Sequence, residues 1–182
     1  RCLTKAIIYQ QIHGKAASSI YTRFIHLFDK ENNKEDDFPT PQDVLEKAFD
    51  ELKSAGLSSR KVEYIKNLAE KFQDKTITPE NFHKMTDQEI SNQLCSVKGI
   101  GQWTVDMFLM LDLRHPDILP LGDLVVRKGI AAHFGISDDD NEKKKTKLLL
   151  NEKRMIELTE VWRPYRSLGA WLMWRTANTK IV

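Results

Sequence analysis

The sequence predicts an all-α fold, and three observations carry that prediction. Apolar residues recur at spacings of three and four along most of the chain, the period of a helix with one buried face. Alternation of period two, the mark of a half-buried strand, is scarce. Helix-opening combinations punctuate the apolar stripes: Thr-Pro at 40–41 and 78–79, and Thr-x-x-Glu at 86–89. These signals divide the 182 residues into about ten short helices. No internal repeat is visible, and a chain of this length can close one domain around a sizeable interior.

Leu3, Ile7, Ile8 and Ile12 share the first helical face, and Ala16, Ala17, Ile20, Phe24, Leu27 and Phe28 form the next stripe. DKENNKEDDF, residues 29–38, reads as a polar loop. Thr40-Pro41 opens one amphipathic helix carrying Val44, Leu45, Ala48, Phe49 and Leu52, which Gly56 ends. Ser58-Ser59 caps a helix with Val62, Ile65, Leu68, Ala69 and Phe72 inward. Thr78-Pro79 starts a short helix. Met85 to Ile90 combines a capping box (Thr86, Glu89) with a hydrophobic staple (Met85, Ile90), the clearest helix start in the chain. A further helix places Trp103, Met107, Met110 and Leu111 on one face, and another begins near Asp123. DDDNEKKKTK, residues 138–147, is a solvated loop or the polar start of a helix, and the last helix carries Trp171 and Trp174.

Composition excludes several classes. Apolar content of 41% and charged content of 30% are those of an ordinary globular chain. Net charge is +2, so an anionic partner must be met by a local patch and not by bulk charge. Two cysteines, Cys2 and Cys95, provide neither a disulfide framework nor metal-ligand spacing, and fit a reducing compartment. No apolar run reaches the length of about 18 residues that spans a bilayer, so no membrane partner is expected. No secretory leader pattern is recognisable.

The stretch VKGIGQWT, Val97–Thr104, sets two glycines one residue apart between two helices. Amides at the start of the second helix lack intrahelical partners, and the helix dipole favours an anion there. Two missing Cβ atoms let a phosphodiester approach the backbone without reading a base. A plain helix–helix corner needs the same glycines, and for a bare Gly-x-Gly it is the commoner explanation. Downstream, PLGDLVVRKG (Pro120–Gly129) puts Asp123 at a helix start. It is there either an ordinary N-cap or a carboxylate able to face a developing cation.

Taken in order, the capping-box helix, VKGIGQWT and PLGD resemble the helix–hairpin–helix DNA glycosylase superfamily, in which a catalytic aspartate follows the hairpin by about twenty residues; Asp123 lies twenty after Trp103. IIYQQIHGKAA (7–17), AGLSSRK (55–61), GIGQWTVDMF (99–108), PLGDLVVRKG and WRPYRSLGAWLMWR (162–175) resemble the alkylbase, or 3-methyladenine, branch. The resemblance spans nearly the whole chain. It implies two helical lobes around a cleft, a single domain over 1–182, a hairpin over 86–113 and a catalytic loop over 114–123.

Residue by residue, the resemblance implies Asp123 as the catalytic carboxylate, stabilising an oxocarbenium-like sugar and orienting water. Trp103 stands where lyase-type members carry a lysine, so no Schiff base forms and the activity is monofunctional. The four clustered cysteines of iron–sulfur members are missing. Trp103, Met107 and Trp174 fall at base-pocket positions, where ring faces attract a cationic base; Met107 departs from an aromatic present in some relatives. Trp162 and Trp171 are assigned to the core. Gln11 falls at the position that plugs the gap left by an extruded base, with His13 beside it; each is otherwise a surface residue of a turn. Leu57, with Ser58, resembles a second wedge, or else Leu57 is a core residue after a helix end. Lys98, Thr104, Arg127 and Lys128 complete the DNA-binding set, and the three basic residues are equally readable as solvated helix charge. The carbonyls of Gly99 and Gly101 are expected to hold a monovalent cation, with no other cofactor. The expected partner is double-stranded DNA with a damaged base or an abasic site, bound by a monomer in the nucleus of a eukaryote or in the cytoplasm or nucleoid otherwise. The alternative function is abasic-site or damaged-DNA binding without excision.

Overall fold

The computed structural model describes residues 1–28, 38–136 and 150–178; the polar stretches at 29–37 and 138–147 lie outside the described residues. Secondary structure among the described residues is entirely helical, as the apolar periodicity predicts. The ten α-helices are α1 (Cys2–Tyr9), α2 (Gly14–His26), α3 (Pro41–Glu46), α4 (Phe49–Ser54), α5 (Ser59–Gln73), α6 (Asp87–Cys95), α7 (Gln102–Met107), α8 (Leu124–His133), α9 (Glu152–Thr159) and α10 (Arg166–Asn178). A 3-10 turn (Pro79–Lys84) precedes α6, and a π-helical segment (Phe108–Asp112) continues α7. No helix among the described residues is long and apolar enough to cross a membrane. The chain divides into two compact units, Arg1–Val105 and Asp106–Val182.

In the first unit, α5 is the central element, with α1, α3 and α4 packed on it. Ser58 caps it by accepting from the Lys61 amide, and Val62, Ile65, Leu68 and Ala69 at helical spacing are buried. Burying side chains of this size contributes about 1.5–3 kcal/mol each. Two lysines of α5 also close other helices. Lys66 Nζ donates to the carbonyls of Leu45 (3.2 Å) and Lys47 (2.7 Å), and Lys61 Nζ to those of Ile8 (2.7 Å) and Gln10 (2.8 Å). Terminal helix carbonyls lack intrahelical donors, and these ammonium groups satisfy them.

This device explains two departures from the sequence reading. The stretch from Pro41 to Ser54 is two helices and not one, broken at Lys47-Ala48, both in extended backbone. The end of α3 is held by Lys66, and Glu51 accepts from the Ala48 amide to open α4. Ile12 does not share the α1 face: α1 ends at Tyr9 under the Lys61 clamp, and Ile12 is exposed. The capping box at α6 forms as read, with Thr86 Oγ1 accepting from the Glu89 amide and Glu89 accepting from the Thr86 amide (2.7 Å). The Thr86 amide and hydroxyl, both donating to the Glu89 carboxylate, hold it below its ordinary value.

In the second unit, α8 packs on α10, burying Val126 and Ile130 together with Ala170 and Met173. The loop ahead of α8 is pinned to the start of α10. Asp117 receives Arg166 Nε (2.7 Å) and Arg163 Nη1 (2.7 Å), while Ser167 Oγ donates to the His115 carbonyl (2.6 Å) and accepts from the Ile118 amide (3.0 Å). The Arg166 hydrogen bond is the main cause that holds the Asp117 carboxyl below the usual range. Met110 and Leu111, read onto one face, differ in setting: Met110 is buried and Leu111 is exposed. The π turn, closed by the Leu113 amide on the Phe108 carbonyl (3.0 Å), adds a residue to the turn and breaks the 3.6-residue projection. Trp171, assigned to the core, is exposed with the Arg175 guanidinium over its ring; Trp162 stacks on Phe134.

Candidate nucleic-acid interface and active site

The hairpin between α6 and α7 stands on two buried side chains, Val97 and Ile100, and the Ile100 amide closes the turn on the Val97 carbonyl (3.1 Å). Ser91 of α6 donates to the Gln102 side chain at the start of α7 (2.8 Å), which fixes the two helices to each other. The two glycines differ in kind. Gly99 has φ +82, and a Cβ there would lie 2.2 Å from the Tyr64 ring, so both conformation and packing require glycine. A Cβ on Gly101 would meet nothing within 4 Å. Gly101 opens α7, its carbonyl accepting from the Thr104 (2.9 Å) and Val105 (3.1 Å) amides. Internal packing therefore does not ask for a glycine at 101.

The other candidates of the first unit differ in setting. Gln11 is exposed with φ +54, a left-handed conformation costing about 1–2 kcal/mol in a non-glycine residue. Exposed His13 caps α2, accepting from the Lys15 amide at Nδ1 (3.3 Å). Ser58 and Lys98 are exposed; the Lys98 amide donates to Asn67 Oδ1 (3.0 Å), leaving its side chain at the surface. Leu57 takes its core alternative, 3% exposed, and the Thr104 side chain lies inside at 7%. Trp103 is 49% exposed, an unusual setting for a large ring in a packed unit.

The Gly99 carbonyl accepts from Gln10 Nε2 (2.8 Å), and the Gly101 carbonyl already receives two amides. A carbonyl oxygen has two lone pairs, so the expected pair does not fit a monovalent cation: Gly101 has none left. Among the described residues no group of three or more His, Cys, Asp or Glu side chains could hold a metal ion.

In the second unit, Asp123 is 8% exposed and caps α8, with Oδ1 accepting from the Val125 and Val126 amides at 2.9 Å each. Its own amide closes the preceding turn on Pro120 (3.0 Å). Arg127, read as a phosphate contact, is half-buried and turned toward this turn, Nη2 donating to the Leu121 carbonyl (2.8 Å), while its Nε is buried without a partner. Lys128 is exposed, and Met107 and Trp174 are half-buried. The second unit thus holds a buried carboxyl group fixed by two amides on a braced turn, and the first holds a glycine turn with open space over Gly101.

Residues 4–154 match the HhH-GPD superfamily base excision DNA repair protein family. The chain belongs to this superfamily. It is 31% identical over 97% of its length to DNA-3-methyladenine glycosylase 1 of Schizosaccharomyces pombe, of which it covers 71%. To the DNA-3-methyladenine glycosylase of Saccharomyces cerevisiae it is 30% identical over 97%, covering 66%. It spans between 54% and 75% of the lengths of the curated relatives it matches. Among solved structures, the DNA-3-methyladenine glycosidase of Bacillus halodurans superposes with a TM-score of 0.80 at 28% identity, over 97% of this chain and 74% of that one. The S. pombe 3-methyladenine DNA glycosylase in complex with abasic DNA does so with a TM-score of 0.74 at 29% identity, over 98% and 82%. HhH-GPD membership accounts for the order of hairpin and aspartate.

Sequence reasoning singled out Gln11, His13, Trp103 and Asp123, but passed over Lys61, Tyr64, Asn67 and Asp117, which hold these loops. Lys61 lay inside a quoted segment, three residues after the Ser58 cap; nothing in its spacing signalled carbonyl partners fifty residues away.

Proposed function

We propose that this HhH-GPD chain is a monofunctional DNA glycosylase that removes alkylated purines of the 3-methyladenine kind from duplex DNA. The observation that carries the reading is Asp123, a buried carboxylate on a braced turn at the spacing from the hairpin that the superfamily uses. The names of the relatives support the substrate class. A cationic alkylpurine is a good leaving group: the bond from its nitrogen to the sugar C1′ breaks, the electron pair stays with the base, and the base departs neutral. The barrier is the positive charge left on the sugar. Asp123 stabilises that charge; water adds to C1′ and gives up a proton. Trp103 in the hairpin offers no amine, so water is the nucleophile. The base is extruded first, Gln11 filling its place and the exposed Trp103 ring receiving it. The Gly101 turn and exposed Lys98 and Lys128 hold the backbone. The protein acts where its DNA is, in the nucleus of a eukaryote or the nucleoid of a bacterium.

The test is single-turnover base release from methylated duplex by wild type and Asp123→Asn, with binding to an abasic duplex alongside. Release that collapses in the variant is expected. No release from either, with abasic binding intact, would assign the chain instead to damage recognition without excision, a reading favoured by Met107 at a pocket position.

A further inference from the structure

One stripe of α5 touches each loop that the proposed function assigns to DNA in the first unit. Lys61, Tyr64 and Asn67 stand three residues apart, so they neighbour one another on one side of the helix, and all three are half-buried. Lys61 Nζ holds the Ile8 and Gln10 carbonyls, at 2.7 and 2.8 Å, on the near side of Gln11. The Tyr64 ring lies where a Cβ of Gly99 would be. Asn67 Oδ1 accepts from the Lys98 amide (3.0 Å), its own Nδ2 fixed on Glu70 (3.1 Å). Gln10 then links the two ends, its Nε2 donating to the Gly99 carbonyl (2.8 Å). At the N-terminus of the same helix is Ser58.

A simple helix cap explains both carbonyl bonds, since Ile8 and Gln10 lie at the end of α1. It does not explain why the Gln10 side chain reaches on to the hairpin. Burial holds the Lys61 ammonium below the ordinary lysine range, so the position is not one a solvated charge would choose.

We infer that Lys61, Tyr64 and Asn67, with Gln10 as the link, are positioning residues that fix the Gln11 loop in register with the phosphate-gripping hairpin. The inference rests on the proposed roles of those two loops. A plug works only if the clamp holds the backbone at the right distance from it, and a displacement near 1 Å is enough to lose about a hundredfold in a positioned reaction. The hairpin's own hold on phosphate does not need the link.

The experiment compares wild type, Lys61→Met and Gln10→Met, the last two keeping side-chain length without the donor. Thermal unfolding establishes folding; should Lys61→Met fold poorly, Gln10→Met breaks the same link. Affinity is measured for an undamaged duplex and for an abasic duplex with 2-aminopurine beside the gap, whose fluorescence reports insertion. The expected result is undamaged-duplex affinity within about twofold, and abasic affinity and fluorescence change reduced about tenfold, the scale of one lost hydrogen bond. Equal losses on both duplexes, or none on either, would overturn the inference by reducing the stripe to a fold support. Wild type that grips the abasic duplex but releases no base would sink the catalytic reading and leave this arm intact. Wild type that does not distinguish the two duplexes would overturn the inference itself.

Discussion

Two helix starts in this molecule solve the same electrostatic problem in opposite ways. α7 opens at Gly101, which has no side chain to offer and whose missing Cβ faces open space. α8 opens at Asp123, whose carboxylate takes two first-turn amides for itself and lies buried. Each has the positive end of a helix dipole. The first leaves its opening backbone uncovered by any side chain, and on the proposed reading a phosphate approaches it there. The second has satisfied its first-turn amides from within, and on the same reading its buried carboxyl group faces the cation that develops on the sugar. A helix N-terminus is thus not one kind of site, and the capping residue decides which kind it becomes.

The largest effect comes from separating the two jobs of Asp123. Asn caps as well as Asp, so Asp123→Asn is expected to leave the unfolding midpoint nearly unchanged while base release falls about 10²–10³-fold. Unchanged release would reduce Asp123 to a cap and erase the contrast. The glycines come next. Gly99→Ala must accommodate both a left-handed backbone and the Tyr64 ring, at about 2–4 kcal/mol in denaturant unfolding. Gly101→Ala is expected to lose within about 1 kcal/mol of stability yet weaken duplex binding about tenfold. Equal stability losses in both would mean that the open space at Gly101 has no external tenant.

Gln11 sharpens the comparison from the other side of the hairpin. Gln11→Gly relieves the left-handed strain and is expected to raise stability by up to about 1 kcal/mol, while abasic-duplex affinity falls. Opposite signs would mark Gln11 as a position where function opposes stability; a gain in both would remove its role. The smallest effect tests the anchor under the α8 start. The Asp117 carboxyl is held down chiefly by Arg166, so its contribution is complete above the unfolded value of 3.8 and is lost as pH falls through its lower folded value. Melting curves recorded across acid pH should steepen there in wild type and flatten in Asp117→Asn.

Local information made much of this legible. The capping box at Thr86, the N-cap at Ser58, the glycine pair and Asp123 at a helix start are all set by residues within three or four positions of one another, and they form as read. The reading failed where a distant side chain intervened. The break between α3 and α4 depends on Lys66, and the early end of α1 on Lys61, through carbonyls that carry no sequence identity of their own. The π turn after Met107 shifted the faces of the following residues, because a constant-period projection cannot anticipate an inserted residue.

By itself, then, the sequence determined an all-helical chain, the position of its hairpin and the aspartate that follows it, since helix starts and turns are short-range physics. Only the tertiary structure decided that Gly99 is held by Tyr64 while Gly101 is not, that Leu57 and Thr104 turn inward, that Arg127 braces a loop, and that α5 holds both the Gln11 loop and the hairpin. The physical reason is that a buried or bonded side chain is defined by its partners, and apart from the six-residue reach of Arg127 to Leu121 the bonded partners lie thirty to ninety residues away along the chain.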